Sequence, residues 1–188
     1  MKRPPTNAVF EVRQMSRVEF ITGVLRRLQD DVGTILQLID THNYQTFTNN
    51  NRTIGYWASL RMILPIIEAV SHAMGIRPQQ LLCDHLHIRT SHLMWDLFRH
   101  SLTHGDTLQE GVYKGKRVSW GVGFGAGAHV INAGTIHIDV PTLYNDLENY
   151  LQQEVDNNDH TQINIEVGVE YGIRGEPNQG IVDDFSRL

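Results

Sequence analysis

The chain has a single cysteine, Cys83, among 188 residues. It can form no internal disulfide and supply no thiolate zinc cluster, so the expected compartment is a reducing one. Lysine is scarce too, at three residues against thirteen arginines. Arginine suits planar, bidentate contacts to phosphate or carboxylate, which points weakly toward anion recognition. No run of ~18 consecutive apolar residues occurs. Met1 to Phe10 contain Pro4 and Pro5 and no apolar stretch of signal-peptide length. A cytoplasmic protein with no membrane span is therefore expected. Positive charge is also short: 16 basic against 21 acidic residues give a net −5. The molecule is not a polycation that would coat nucleic acid, and any RNA site has to be a local patch. With 40% hydrophobic and 20% charged residues the composition is globular, and the length suits one domain with a small appendage.

Residues 1–15 read as a flexible lead-in, because Pro4, Pro5, Thr6 and Asn7 offer turn chemistry and little to bury. From about Arg17 to Phe47, Ile21, Val24, Leu25, Leu28, Val32, Ile35, Leu36 and Ile39 recur at spacings of three and four, which predicts a helix with one buried stripe. Thr48 to Asn51 form a polar break. Leu60, Ile63, Leu64, Ile67, Val70 and Met74 then repeat the helical spacing up to Gly75, with a kink expected at Pro65. A third helical stretch, as one helix or two, runs from Pro78 through Leu81, Leu82, Leu86, Leu93, Leu97, Phe98 and Leu102 to a stop at Gly105.

Eight of the sixteen glycines lie between Gly105 and Gly134, a density no helix tolerates. Alternation over Val118 to Phe124 and over Ile136 to Val140 predicts a β-hairpin at about 117–140. Pro141 ends its second strand and opens a fourth helix through Leu143, Leu147, Tyr150 and Leu151. Residues 156–188 comprise a polar linker, a C-terminal strand over Ile163 to Tyr171 and a loosely held tail. The fold class expected is mainly α: a four-helix bundle over 16–155 with a small hairpin inserted before the last helix.

The chemistry is concentrated in Asp96-Leu97-Phe98-Arg99-His100-Ser101-Leu102-Thr103-His104-Gly105-Asp106. At about 100° per residue, Leu93, Met94, Leu97, Phe98 and Leu102 share one side of a helical wheel. Asp96, Arg99, His100 and Thr103 form a polar arc on the other, and His104 continues that arc at the edge of the apolar side. An imidazole can take the proton from a ribose 2′-hydroxyl while a guanidinium holds the phosphate and its developing charge, so this set suits RNA cleavage without a metal. DNA, lacking that hydroxyl, would not be cut.

The segment Arg99 to His104 resembles the signature of the HEPN superfamily, four-helix domains recognised by an arginine, a polar residue, three further positions and a histidine. Asparagine is commonest at the second position, and His100 is a permitted variant. The resemblance covers about residues 17–155 in helical outline and six residues in its specific part; the superfamily does not require an inserted sheet. It implies a homodimer that brings two motifs together, and an endoribonuclease leaving a 2′,3′-cyclic phosphate and a 5′-hydroxyl, commonly in a toxin–antitoxin or antiviral defence role. The partners implied are an RNA substrate and an antitoxin or other protein. In that scheme His104 transfers the proton, Arg99 binds the scissile phosphate and His100 assists, with Asp96 and Thr103 in support. No cofactor and no metal are expected.

Competing readings are weaker. Arg99 could instead pair with Asp96 or Asp106, and His104 could sit at a helix C-terminus for its dipole alone. His85, His87, His92, His100 and His104 could contribute zinc ligands, but no Glu follows His100 in the metalloprotease pattern and no cysteine cluster accompanies them. Gly121, Gly123 and Ala126 match a loose dinucleotide-binding pattern, but a strand follows where a helix would be needed. Cys83 reads as a packing residue beside Leu81 and Leu82. The reading from a different class is a non-catalytic interaction or RNA-binding module, suggested by the acidic balance and the acidic residues of the C-terminal segment.

Overall fold

A computed structural model of the chain describes residues 9–41, 55–96, 111–123, 129–132 and 134–170. Four of the expected site residues, Arg99, His100, Thr103 and His104, lie outside the described residues, as do the end of the first expected helix, the Gly105 stop and the C-terminal tail. By its contacts the chain divides into two units, Met1–Met15 with Gln162–Leu188, and Ser16–Thr161. In the first, strand β1 (Val9–Ser16) pairs with strand β6 (Gln162–Glu170). Part of the expected lead-in is thus a strand. Its signal was hidden because a two-stranded ribbon draws its partner from the far end of the sequence, where local turn chemistry carries no information about pairing.

The second unit is mainly helical. Helix α1 (Arg17–Arg27) passes through a π-helical segment (Leu28–Gly33) into α2 (Thr34–Thr41). The start of α1 accounts for its free amides one by one. Arg17 and Val18 donate to the carbonyls of Thr161 (2.9 Å) and Asp159 (3.0 Å), and Glu19 donates to Ser16 Oγ at 3.3 Å. The Ser16 amide donates back to Glu19 Oε2 at 3.0 Å, completing a capping box. Replacing Ser16 by alanine is expected to cost about 1–2 kcal/mol, measured by urea unfolding. Ser16 is buried, which favours the upper half of the usual range.

Helix α3 (Tyr56–Met74) runs unbroken through Pro65. Pro65 and Arg61, the residue whose carbonyl it crowds, both lie on the exposed side, where water can satisfy the freed carbonyl. Gly75, at φ 69°, ends the helix in a Schellman arrangement, with Gly75 donating to His72 and Ile76 donating to the Ser71 carbonyl at 3.0 Å. The chain then bends by 98° into α4 (Pro78–Asp84). The third expected stretch is therefore interrupted after Asp84, and helical geometry resumes at residues 91–96. In α4 the buried pair Leu81 and Leu82 turns Cys83 outward, so the cysteine is exposed and not part of the packing.

The expected hairpin at 117–140 is replaced by a four-stranded mixed sheet of order β2-β3-β5-β4, comprising β2 (Gly111–Tyr113), β3 (Lys116–Gly123), β4 (Val130–Asn132) and β5 (Thr135–Asp139). The two strands read from the sequence, β3 and β5, are neighbours but parallel, with Trp120 opposite Ile136 and Val122 opposite Ile138. Parallel neighbours need a return path, and β4 supplies it by running antiparallel to β5. Alternation reveals a strand and its buried face; it does not reveal the direction of its partner.

Asp139 caps the last helix, α5 (Val140–Asn157), by accepting from the Thr142 amide at 3.0 Å, with Pro141 in the first turn. A single apolar core joins Ile21, Leu28, Leu60, Ile63, Ile67, Leu81, Ile138, Leu143 and Leu147 from helices and sheet alike. Trp57 of α3 packs against Trp120 of β3 with ring centroids 4.7 Å apart. Among the described residues no helix is long and apolar enough to cross a membrane.

Candidate functional site

Of the residues expected to carry chemistry, Asp96 is described. It lies on the exposed side of the helical residues 91–96, together with His92, while Met94 and Trp95 are buried. That orientation keeps the polar side of this segment open to solvent where the sequence continues into Arg99 to His104. Asp96 is brought into no described contact with another expected site residue.

The structure gathers a second set of polar groups that the sequence did not announce. A cleft of about 380 Å³ is lined by Asp84, His85, His87, Asp146, Asn149, Tyr150 and Gln153. One wall comes from the end of α4 and the loop after it. His85, Leu86 and Ile88 donate their amides to Leu81 (3.1 Å), Leu81 (3.2 Å) and Leu82 (2.8 Å), and Leu86 and Ile88 are buried. These anchors hold His85 and His87 outward, and His87 takes a left-handed backbone with φ 55°. A side chain other than glycine in that region costs on the order of 1–2 kcal/mol, which the two anchored neighbours sustain.

The other wall is α5. Asp146, Asn149, Tyr150 and Gln153 fall at i, i+3, i+4 and i+7, within an arc of roughly 100°. The His85 ring packs on Tyr150 with centroids 4.5 Å apart and planes tilted by 42°. Burial pushes the Tyr150 phenol up to about 12, with Glu154 adding to the shift and Arg17 opposing it. The hydroxyl therefore keeps its proton at neutral pH and can donate.

His129, beside this wall, is fixed by the backbone. Its Nδ1 accepts the Asp139 amide proton at 3.2 Å, so in the neutral ring the proton sits on Nε2. Nε2 is buried and has no hydrogen-bond partner among the described residues. Burial lowers the pKa of this imidazole from 6.5, Asp146 and Asp139 oppose that shift, and His87 adds to it. Protonating the ring would also cost the bond from Asp139, at the junction of β5 and α5.

The unfolded imidazole takes up its proton near 6.5 and the folded one only at lower pH. Stability drawn from the neutral ring is complete above that value and declines as the pH falls through it toward the folded value. Glu19, lowered by its bonds with Ser16, and Asp159, lowered by its bonds with Thr161, act in the same direction further into acid. Urea unfolding at pH 7.5 and 5.5 is expected to show a loss of stability in the wild type that is smaller in His129→Gln. Equal losses in both proteins would remove His129 as the cause.

Among the described residues no group of three or more His, Cys, Asp or Glu side chains is placed to hold a metal ion. The sequence offers His85 and His87 only as candidate zinc ligands and gives Asp146, Asn149 and Gln153 no functional signal. Their spacing on α5 was readable as a polar helix face, but nothing local showed that the loop after α4 lies against it. Fold and site together define a mainly helical domain carrying a small mixed sheet and a polar cleft. Searches with this chain find no matching family model, no matching curated protein and no matching solved structure.

Proposed function

We propose that this protein is a metal-independent endoribonuclease of the HEPN type, acting in a toxin–antitoxin or defence setting. The observation that carries the reading is the sequence Arg99-His100-Ser101-Leu102-Thr103-His104. It is supported by the mainly helical fold and by the solvent-facing side of the residues 91–96 that lead into it. His104 removes the proton from the 2′-hydroxyl, and that oxygen attacks the adjacent phosphorus. The bond from phosphorus to the 5′-oxygen breaks, and the 5′-oxygen takes up a proton. The products are a 2′,3′-cyclic phosphate and a 5′-hydroxyl. Arg99 offsets the charge that develops on the phosphate oxygens. His100 assists or orients, with Asp96 and Thr103 in support. Two copies of the chain bring two motifs together, and an antitoxin or other protein partner restrains the activity.

Incubating the purified protein with total RNA in a chelator, followed by end-group analysis, tests the reading. Fragments ending in cyclic phosphate are expected, and intact RNA at every protein concentration would overturn it. The net charge of −5 favours a second reading, a non-catalytic interaction module. That reading gains if the protein neither cleaves nor binds RNA at low salt.

A further inference from the structure

The cleft between α5 and the loop after α4 has a definite chemical character. Its lining contains two carboxylates, Asp84 and Asp146, and no lysine or arginine. A phosphate group would be repelled there, so the part of a ligand that enters must be neutral or cationic and must present N–H donors. Asn149 and Gln153 each offer both a donor and an acceptor. An ammonium group could use only the acceptors, whereas the edge of a heterocycle uses both kinds. The His85 ring, backed by Tyr150 and exposed to solvent, supplies a flat face on which such a heterocycle can stack. The left-handed backbone at His87 shows that the loop keeps this wall in place against a conformational cost.

We infer that this cleft takes the guanine base of a single-stranded RNA, stacked on His85 and read by Asp146 and the two amides. Guanine presents N1–H and the N2 amino group side by side, matching the two oxygens of one carboxylate, while its O6 accepts from an amide such as that of Asn149. Uracil offers one donor between two acceptors, and its carbonyls would face the carboxylates. The charge of the cleft then orients the strand, with the base inward and the phosphates outward. The inference rests on the ribonuclease reading for its choice of RNA, and it adds a base preference to that reading.

Binding can be measured apart from cleavage with fluorescein-labelled 2′-O-methyl RNA pentamers, whose blocked 2′-oxygen cannot attack. Four such oligomers, all uridine except for G, A, C or U at the centre, are titrated with the full chain and followed by anisotropy. The G oligomer is expected to bind at least about tenfold tighter than the others. Asp146→Asn should bring the four within about twofold of one another, and His85→Ala should weaken the G oligomer by about tenfold. Equal binding of all four, a G preference that survives Asp146→Asn, or no binding at low salt would each overturn the inference. Cleavage of total RNA without a G preference defeats this inference alone. A G preference without cleavage defeats the nuclease reading and leaves the cleft assignment standing.

Discussion

His104→Ala and Arg99→Ala are each expected to lower RNA cleavage by about a thousandfold, while the far-UV circular dichroism and the melting temperature stay at wild-type values. Positioned acid–base groups contribute on the order of 10² to 10⁴ in rate, and charge stabilisation of a transition state about 10² to 10³. A thousandfold loss corresponds to about 4 kcal/mol of transition-state stabilisation. The two effects should not multiply in the double variant, because the residues act on one transition state. Arg99→Lys separates charge from geometry: it keeps the positive charge, loses the planar fork, and should recover only part of the lost rate. Cleavage that continues at the wild-type rate in His104→Ala would dismiss this histidine as the proton-transfer group. Activity that falls together with the melting temperature would assign it to folding instead.

Gly134→Val should produce a large loss of stability in the sheet. Gly134 has φ +83°, and a Cβ at this position would lie 2.8 Å from the carbonyl oxygen of Arg117. The residue turns the chain between β4 and β5, and its own carbonyl accepts the Ser119 amide at 2.9 Å. A substitution therefore strains the backbone and presses on the neighbouring strand at once. The expected cost is about 2–4 kcal/mol, or a fall of roughly 5–15 °C in Tm for a domain of this size. Gly115 is the control. It shares the positive φ, at +75°, but has nothing within 4 Å of its Cβ position. Gly115→Val should cost only the backbone strain, about 1–2 kcal/mol. Equal losses at the two sites would show that the close approach to Arg117 has no energetic weight.

Much of the helical part of the molecule could be read directly from the residues. Ile21, Val24, Leu25 and Leu28, then Leu60, Ile63, Leu64 and Ile67, then Leu143, Leu147, Tyr150 and Leu151, recur at three and four positions, and all are buried. A stripe of that period can be buried only by a helix, so the local pattern and the final packing agree. The π-helical segment at Leu28–Gly33 left no such trace. Its glycine makes sense only in three dimensions, because a Cβ on Gly33 would meet the Tyr144 hydroxyl at 2.8 Å. That hydroxyl donates to Glu148 Oε1 at 3.1 Å, which also accepts from Gln29. The close approach of the π-helical segment to α5 is a fact of packing, not of propensity.

The sequence by itself determined most of the places where the chain is helical, the faces those helices bury, the entry to α5 at Pro141, and the motif on which the functional proposal stands. Each depends on neighbours within about one helical turn, a distance over which side-chain type dictates the outcome. Tertiary structure alone decided that β3 and β5 run parallel, that Val9–Ser16 finds its partner in Gln162–Glu170, and that His85 and His87 face Asp146 and Asn149 across a cleft. These pairings join segments far apart in the chain. No local pattern encodes them, because the free energy that selects a partner strand or a facing helix is gained only when the whole core closes around it.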